Sequence, residues 1–451
     1  MKTSVSTFVE LLDALTAGSV RYRILRNAEE LDDDLVELDL LVWPADREAF
    51  RRVAAERGFK QLGIRIPRKE IHVLISDCRL LSLDVHYGFV QQGLEYQGLK
   101  SVEDRVRITP LGHNALTHED QLLHLFFHSL VGKGQLQEKH LALVEELLRA
   151  STDRGFLRAQ LPGRCERDWF DQFCANPRAF VGESERTRRA ARELTSSLRR
   201  ASFGNAWNSL RFRHLDRWIH SKRGVHIAFV GVDGSGKTTT QETVKRLLAK
   251  NRTPRCRENY MGPWGHVRSA VLRQVYKLKL FPPRENWYRI LRERIKGSES
   301  RSLWLILRKL LYGTVKGTLY YLAVYYELWC RYLREIRPGL RKRAIVLSDR
   351  YICDLRYIYK KRQIHNFALL RAFVCRFFPR PDLLVFLYND PAIIAGRKDQ
   401  LSEKQIAEMQ DSYRLALAGY PVLECVTDRP PEELARAIVQ QILSRYVEIA
   451  R

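Results

Sequence analysis

The sequence predicts an α/β protein: a parallel sheet covered by helices in the second half, preceded by an α+β region with a helical extension. Three observations lead there. From residue 225 onward, apolar runs (HIAFV at 226–230, AIVLS at 344–348, DLLVFLY at 382–388) alternate with segments of helical periodicity. Residues 20–90 instead set strand-like runs close together (RYRIL at 21–25, LDLLV at 38–42, IHVLI at 71–75, LSLDV at 81–85), with one helix at 46–58. Residues 117–200 read as helices, with Thr117 as N-cap ahead of Asp120 and a very basic helix at 183–200.

At 451 residues the chain exceeds one ordinary domain. The pattern divides it into 1–110, a helical extension at 111–200, a basic linker at 201–224, and 225–451. The net charge is +25. A field that positive attracts phosphates, and it also suits nucleic acid or an anionic membrane surface as partner. The eight cysteines are scattered without Cys-x-x-Cys spacing, as expected of reduced thiols in a cytoplasmic protein. The N-terminus lacks the basic, apolar and cleavage regions of a signal peptide. No run reaches the roughly 18 uncharged apolar residues of a transmembrane segment. The nearest, GTLYYLAVYY at 317–326, is closed in by Lys316 and Glu327.

The strand HIAFV runs straight into GVDGSGKT at 231–238 and then into TTTQETVKRLLAK, which fits G-x-x-x-x-G-K-[ST] between a strand and a helix. Gly231, Gly234 and Gly236 let the backbone N–H groups of the loop, Asp233 and Ser235 among them, turn inward around phosphates. The helix N-terminus at Thr238 and Thr239 adds its dipole. Lys237 can reach the β- and γ-phosphates of ATP, and the Thr238 hydroxyl can ligate Mg²⁺. A second strand, AIVLS, ends in Asp349-Arg350-Tyr351. A carboxylate at the C-terminal edge of a parallel strand sits where ligands bind, placed to hold the Mg²⁺ water shell.

GVDGSGKTT, VLSDRY, PDLLVFL with DPAIIAGRKDQ, and DRPPEELARAIVQQIL come in an order that resembles the thymidylate kinase-like P-loop nucleoside-monophosphate kinases, over about 225–255 and 343–445. The resemblance implies an ATP-binding kinase with Lys237, Asp349, Arg350 and Arg397 as catalytic residues. Asp233 would face the acceptor side and Arg350 the acceptor phosphate, with Arg397 and Lys398 near a mobile lid. Ser235 lies between Gly234 and Gly236, so the loop supplies no arginine, and Arg397 is the candidate cation for the transition state. The implied partner is a small phosphate acceptor: a nucleoside monophosphate or a related phosphate or hydroxyl compound. Residues 256–342, which include NYMGPWGHVRS, depart from the family's acceptor segment. Their Trp, Tyr, Arg and Lys residues suit either a helical core or a grip on the acceptor.

Glu37 and Asp39 lie two apart on a strand and share a face, and Asp84 on a later strand can complete a three-carboxylate metal cluster. ELDLLV, the helix at 46–58, His72 and Asp84-Val85-His86 resemble the uncharacterised nucleotidyltransferase family, as does TxEDxLLHLxxHS with Asp120, His124 and His128. Two departures stand out. The first carboxylate is Glu37, and Arg26-Asn27 replaces the Gly-Ser turn that holds the triphosphate. An active transferase and a degenerate binding or scaffold domain both remain open. His124 and His128, one helical turn apart, read as packing histidines before a metal pair. The expectation for the whole is an ATP- and Mg²⁺-dependent phosphotransferase. The alternatives are a nucleotidyltransferase/kinase fusion acting on sugar or polysaccharide precursors, or an ATP-switched module whose basic stretch 186–224 meets nucleic acid or anionic membrane.

Overall fold

Alternation along ELDLLV and RLLSLDVH sets the architecture of the N-terminal region, because successive strand side chains point to opposite faces. A computed structural model of the chain describes residues 4–26, 35–63, 66, 68–150, 153–212, 223–251, 254–263, 267–280, 300–355, 367–397 and 401–451. Asn27, Lys398, residues 213–222 of the basic linker, 264–266 of NYMGPWGHVRS and 281–299 of the long stretch before AIVLS lie outside them. The chain forms two units: Met1–Lys222 with Ala450–Arg451, and Arg223–Ile449.

The first unit holds strands β1 (Tyr22–Ile24), β2 (Glu37–Val42), β3 (Lys60–Gln61), β4 (Lys69–Ser76), β5 (Arg79–His86), β6 (Phe89–Gln91), β7 (Leu94–Gln97), β8 (Arg107–Ile108) and β9 (Asn114–Ala115). Seven of them form a mixed sheet in the order β3-β4-β5-β2-β1-β9-β8, and β6 and β7 pair separately. The central pair, β2 and β5, is parallel and sets Asp39 opposite Asp84. Leu38, Leu40, Leu81, Leu83 and Val85 pack on one face with Phe8 and Leu12 of helix Ser4–Ala17 and Phe50 of helix Arg47–Glu56. On the other face Leu41 and Trp43 join a helical core that includes Leu123, Phe126, Phe170 and Leu194. Thr117 caps helix His118–Phe127 as the sequence predicts: its hydroxyl accepts the Asp120 N–H at 3.3 Å.

The second unit is built on an all-parallel five-stranded sheet, β11-β12-β10-β13-β14. Its strands are β10 (Val225–Val230), β11 (Cys256–Tyr260), β12 (Ile345–Asp349), β13 (Leu383–Tyr388) and β14 (Val422–Val426). The chain leaves β10 for β11 and β12 on one side, then crosses to β13 and β14 on the other. The loops after β10 and β13 therefore part at the carboxyl edge and leave a crevice. Helices cover the sheet, among them Lys237–Leu248, Ser300–Arg331 and Pro431–Ala450. The sequence reading misses β11: its residues CRENY are polar and partly exposed at the sheet edge, so no apolar run marks it.

Helix Ser300–Arg331 contains the apolar run at 317–326, whose Tyr320, Tyr321 and Val324 enter the core of the second unit. Among the described residues no helix is long and apolar enough to cross a membrane. Near the helix end, Glu327 and Arg331 pair at 2.8 Å with side-chain exposures of 1% and 3%. Glu327 also accepts the N–H groups of Arg268 at 2.9 Å and Ser269 at 2.6 Å, which pins the start of helix Ala270–Lys277. Glu327→Ala leaves Arg331 buried without its carboxylate and frees two backbone donors. It should cost about 3 kcal/mol, measured as a lower urea midpoint for the second unit. An unchanged midpoint would show that solvent already screens the pair.

Candidate functional site

The crevice of the second unit begins where β10 gives way to the glycine-rich loop. Gly231 (φ +150°) cannot carry a Cβ, which would collide with the Leu387 carbonyl of β13. Gly236 (φ +83°) ends the loop in the left-handed region and caps helix Lys237–Leu248. With that turn fixed, the helix N-terminus faces the crevice and Thr238 and Thr239 are exposed on its first turn. The Lys237 ammonium curls back and donates to the carbonyls of Gly231 at 2.9 Å and Val232 at 2.8 Å.

β12 brings the second set of residues. Its pairing with β10 sets Phe229 opposite Asp349, and the Arg350 N–H donates to the Phe229 carbonyl at 2.9 Å. Arg350 adopts φ +63°, a left-handed conformation that costs an ordinary residue energy and aims its side chain back over the loop. Its guanidinium contacts Asp233 and donates to Asp354 at 3.1 Å. Asp354 is fully buried, with the Tyr413 hydroxyl 3.1 Å away. Asp354 is a positioning residue that the sequence reading passes over; the signal available was an acid four residues after Arg350. Asp233, Lys237, Asp349 and Arg350 thus lie together. Arg397, at the exposed end of helix Pro391–Arg397, reaches the loop through the Gly234 carbonyl at 3.4 Å.

Burial governs the charges here. It raises the Asp349 carboxyl above its usual range, against the pull of Arg350 and Lys237. It pushes the Lys237 ammonium down to about 8, and the Arg350 cation adds to the effect.

The first unit gathers another cluster. On β2 and β5 the residues Glu37, Asp39, Asp84 and His86 share the face that meets helix His118–Phe127. Among the described residues, the ligand atoms that lie within 4.8 Å of one another belong to Asp39, Asp84 and His86. His86 thus takes the third place that the sequence reading gives to Glu37. The carboxylates also carry partners. Arg26 donates to Asp39 Oδ2 through Nη2 at 2.5 Å and Nε at 3.1 Å, and Lys69 of β4 pairs with Asp84. Desolvation, then Asp39 and Asp84, raise the Glu37 carboxyl. His124 shares a hydrogen bond with the Tyr96 hydroxyl at 2.7 Å, and burial pushes it down to about 3. His128 lies 3.2 Å from Arg26 Nη1, so both histidines pack as neutral rings. His72 is buried on the opposite face, beside Glu70 and against Phe50.

Fold and crevice define the class of the second unit: an α/β protein whose parallel sheet carries a crevice at the carboxyl edge of its strands. Comparison with known proteins narrows this. A protein described as a probable thymidylate kinase from Pyrobaculum aerophilum is 33% identical over 126 residues, which span 26% of this chain and 62% of that protein. The match supports a kinase-like region in this chain, and it covers less than two thirds of the relative's length. No family model matches the chain.

The depressed Lys237 value carries a sign that can be checked. Unfolded, the amine keeps its ordinary value near 10.5, so between about pH 8 and 10.5 the unfolded chain binds more protons than the folded one. Stability from this group therefore rises with pH across that window, by on the order of 2 kcal/mol between pH 8 and 10. Denaturant unfolding at the two pH values should show this gain in the wild type and lose it in Lys237→Met. Parallel pH dependences in the two proteins would show that Lys237 keeps its ordinary value.

Proposed function

We propose that the second unit is a P-loop kinase that passes the γ-phosphoryl group of ATP to a nucleoside monophosphate or a related small phosphate or hydroxyl compound. One observation carries the reading. A glycine-rich loop leading to Lys237 and a strand ending in Asp349-Arg350 meet at one crevice of a parallel sheet. The similarity to a probable thymidylate kinase supports it.

In this reading the loop N–H groups and the helix N-terminus cradle the phosphates. Lys237 exchanges the Gly231 and Val232 carbonyls for β- and γ-phosphate oxygens, and phosphate charge restores its ammonium to full protonation. The oxygen donors present suit a hard cation: the exposed Thr238 hydroxyl and the half-buried Asp349 carboxylate would hold Mg²⁺, which supplies neutralisation of the phosphate charge. Arg350, steadied by Asp233 and Asp354, binds the acceptor phosphate. An acceptor oxygen attacks the γ-phosphorus in line as the bond to the bridging oxygen breaks, and ADP leaves. Arg397 approaches the growing charge from the exposed side of the loop. We read the first unit as a nucleotidyltransferase-like fold, on the strength of Asp39 and Asp84 facing each other on parallel strands.

Lys237→Ala should lower ATP turnover by about 10²-fold or more in a chain whose near-ultraviolet circular dichroism is unchanged. Near-normal turnover by that folded variant would remove the kinase reading. Arg350→Ala should reduce kcat/KM for the acceptor by roughly 10²-fold while the Kd for ATP shifts far less. Equal losses in the two would place Arg350 on the donor side.

A further inference from the structure

The nucleotidyltransferase resemblance implies divalent metal in the first unit, and the residues present do not fit it. A divalent cation in such a site draws on open carboxylate oxygens. Here Asp39 Oδ2 already accepts two guanidinium hydrogen bonds and Asp84 Oδ2 carries the Lys69 ammonium. The four side chains are 8% (Asp39), 12% (Arg26), 13% (Asp84) and 20% (Lys69) exposed, so water does little to screen a further charge. An arginine cannot give up its proton to make room. Arg26 is also braced from behind: Nη1 lies 3.2 Å from His128 Nε2, and His128 Nδ1 lies 3.4 Å from Gln91 Nε2. Arg26 and Lys69 already balance Asp39 and Asp84, so of the cluster's charges only Glu37, on the same face, would be left to answer an added dication. Arg26 stands at the position where the resembling family keeps a small turn for the triphosphate.

We propose that Arg26 and Lys69 are built-in counter-ions of this cluster, that they fill the positions two metal ions would take, and that the first unit binds no divalent metal there. The inference stands on the first unit alone and does not rest on the kinase reading. It makes the unit a metal-free binding or scaffold domain, not a two-metal transferase.

The test is Mn²⁺ titration of the full chain without nucleotide, following free Mn²⁺ by electron paramagnetic resonance. Wild type and Asp39→Asn/Asp84→Asn should give the same isotherm. Arg26→Met/Lys69→Met should gain a Mn²⁺ site that disappears again when the two Asn substitutions are added. Wild-type binding that the Asn pair abolishes overturns the proposal, as does a folded Met pair that gains no site. Should the Met pair fail to fold, Asp39→Asn alone decides through its melting temperature. Breaking a buried ion pair lowers it by roughly 6 °C or more, whereas relieving an open metal site raises it, and a rise refutes the built-in counter-ions.

Discussion

The parallel pairing of β10 with β12 is the constraint on which the crevice of the second unit depends. It sets Phe229 opposite Asp349, and the ladder runs on through the Arg350 N–H, so the loop after one strand and the acid–arginine pair after the other emerge side by side. A slip of one residue would turn Asp349 to the opposite face of the sheet and carry Arg350 away from Asp233. The glycines have the complementary task. Gly231 lets the loop leave β10 against the Leu387 carbonyl, and Gly236 lets the helix begin where its N-terminus faces the gap. The strained backbone of Arg350 is tolerated because that ladder bond and the buried Asp354 both hold it.

Much of this arrangement is legible in the sequence. Lys237 and Thr238 open the helix after a glycine-rich loop, and Asp349 and Arg350 stand at the end of a strand that an apolar run announces. Period two correctly puts Glu37 and Asp39 on one face. Alternation fixes a face, however, and not a distance, so it cannot tell that His86 approaches Asp39 and Asp84 where Glu37 does not. Ion pairs between distant segments are equally silent. Arg26 with Asp39, and Lys69 with Asp84, join residues 13 and 15 apart through sheet pairing. The edge strand β11 escapes notice because a strand that buries little needs no apolar residues.

The two units handle buried charge in opposite ways. In the second, burial and the Arg350 cation hold Lys237 below its ordinary basicity although Asp233 lies 3.9 Å away, a state that a polyanion in the crevice would relieve. In the first, Asp39 and Asp84 each have a counter-ion within the chain, and the histidines around them stay neutral. One arrangement invites a charged ligand and the other has no electrostatic reason to take one.

The Arg26–Asp39 pair also bears on how such a chain can drift. Loss of either partner alone strands the other charge inside the protein, so neither residue changes freely, although the two together could be exchanged for apolar residues of similar volume. The pair therefore acts as an epistatic ratchet. An acidic residue in this position can persist through long divergence because the fold would suffer from its removal, with no chemistry left for it to perform. Across relatives of this chain, persistence of that acid together with its arginine would record structural debt, and only the acid without the arginine would speak for catalysis.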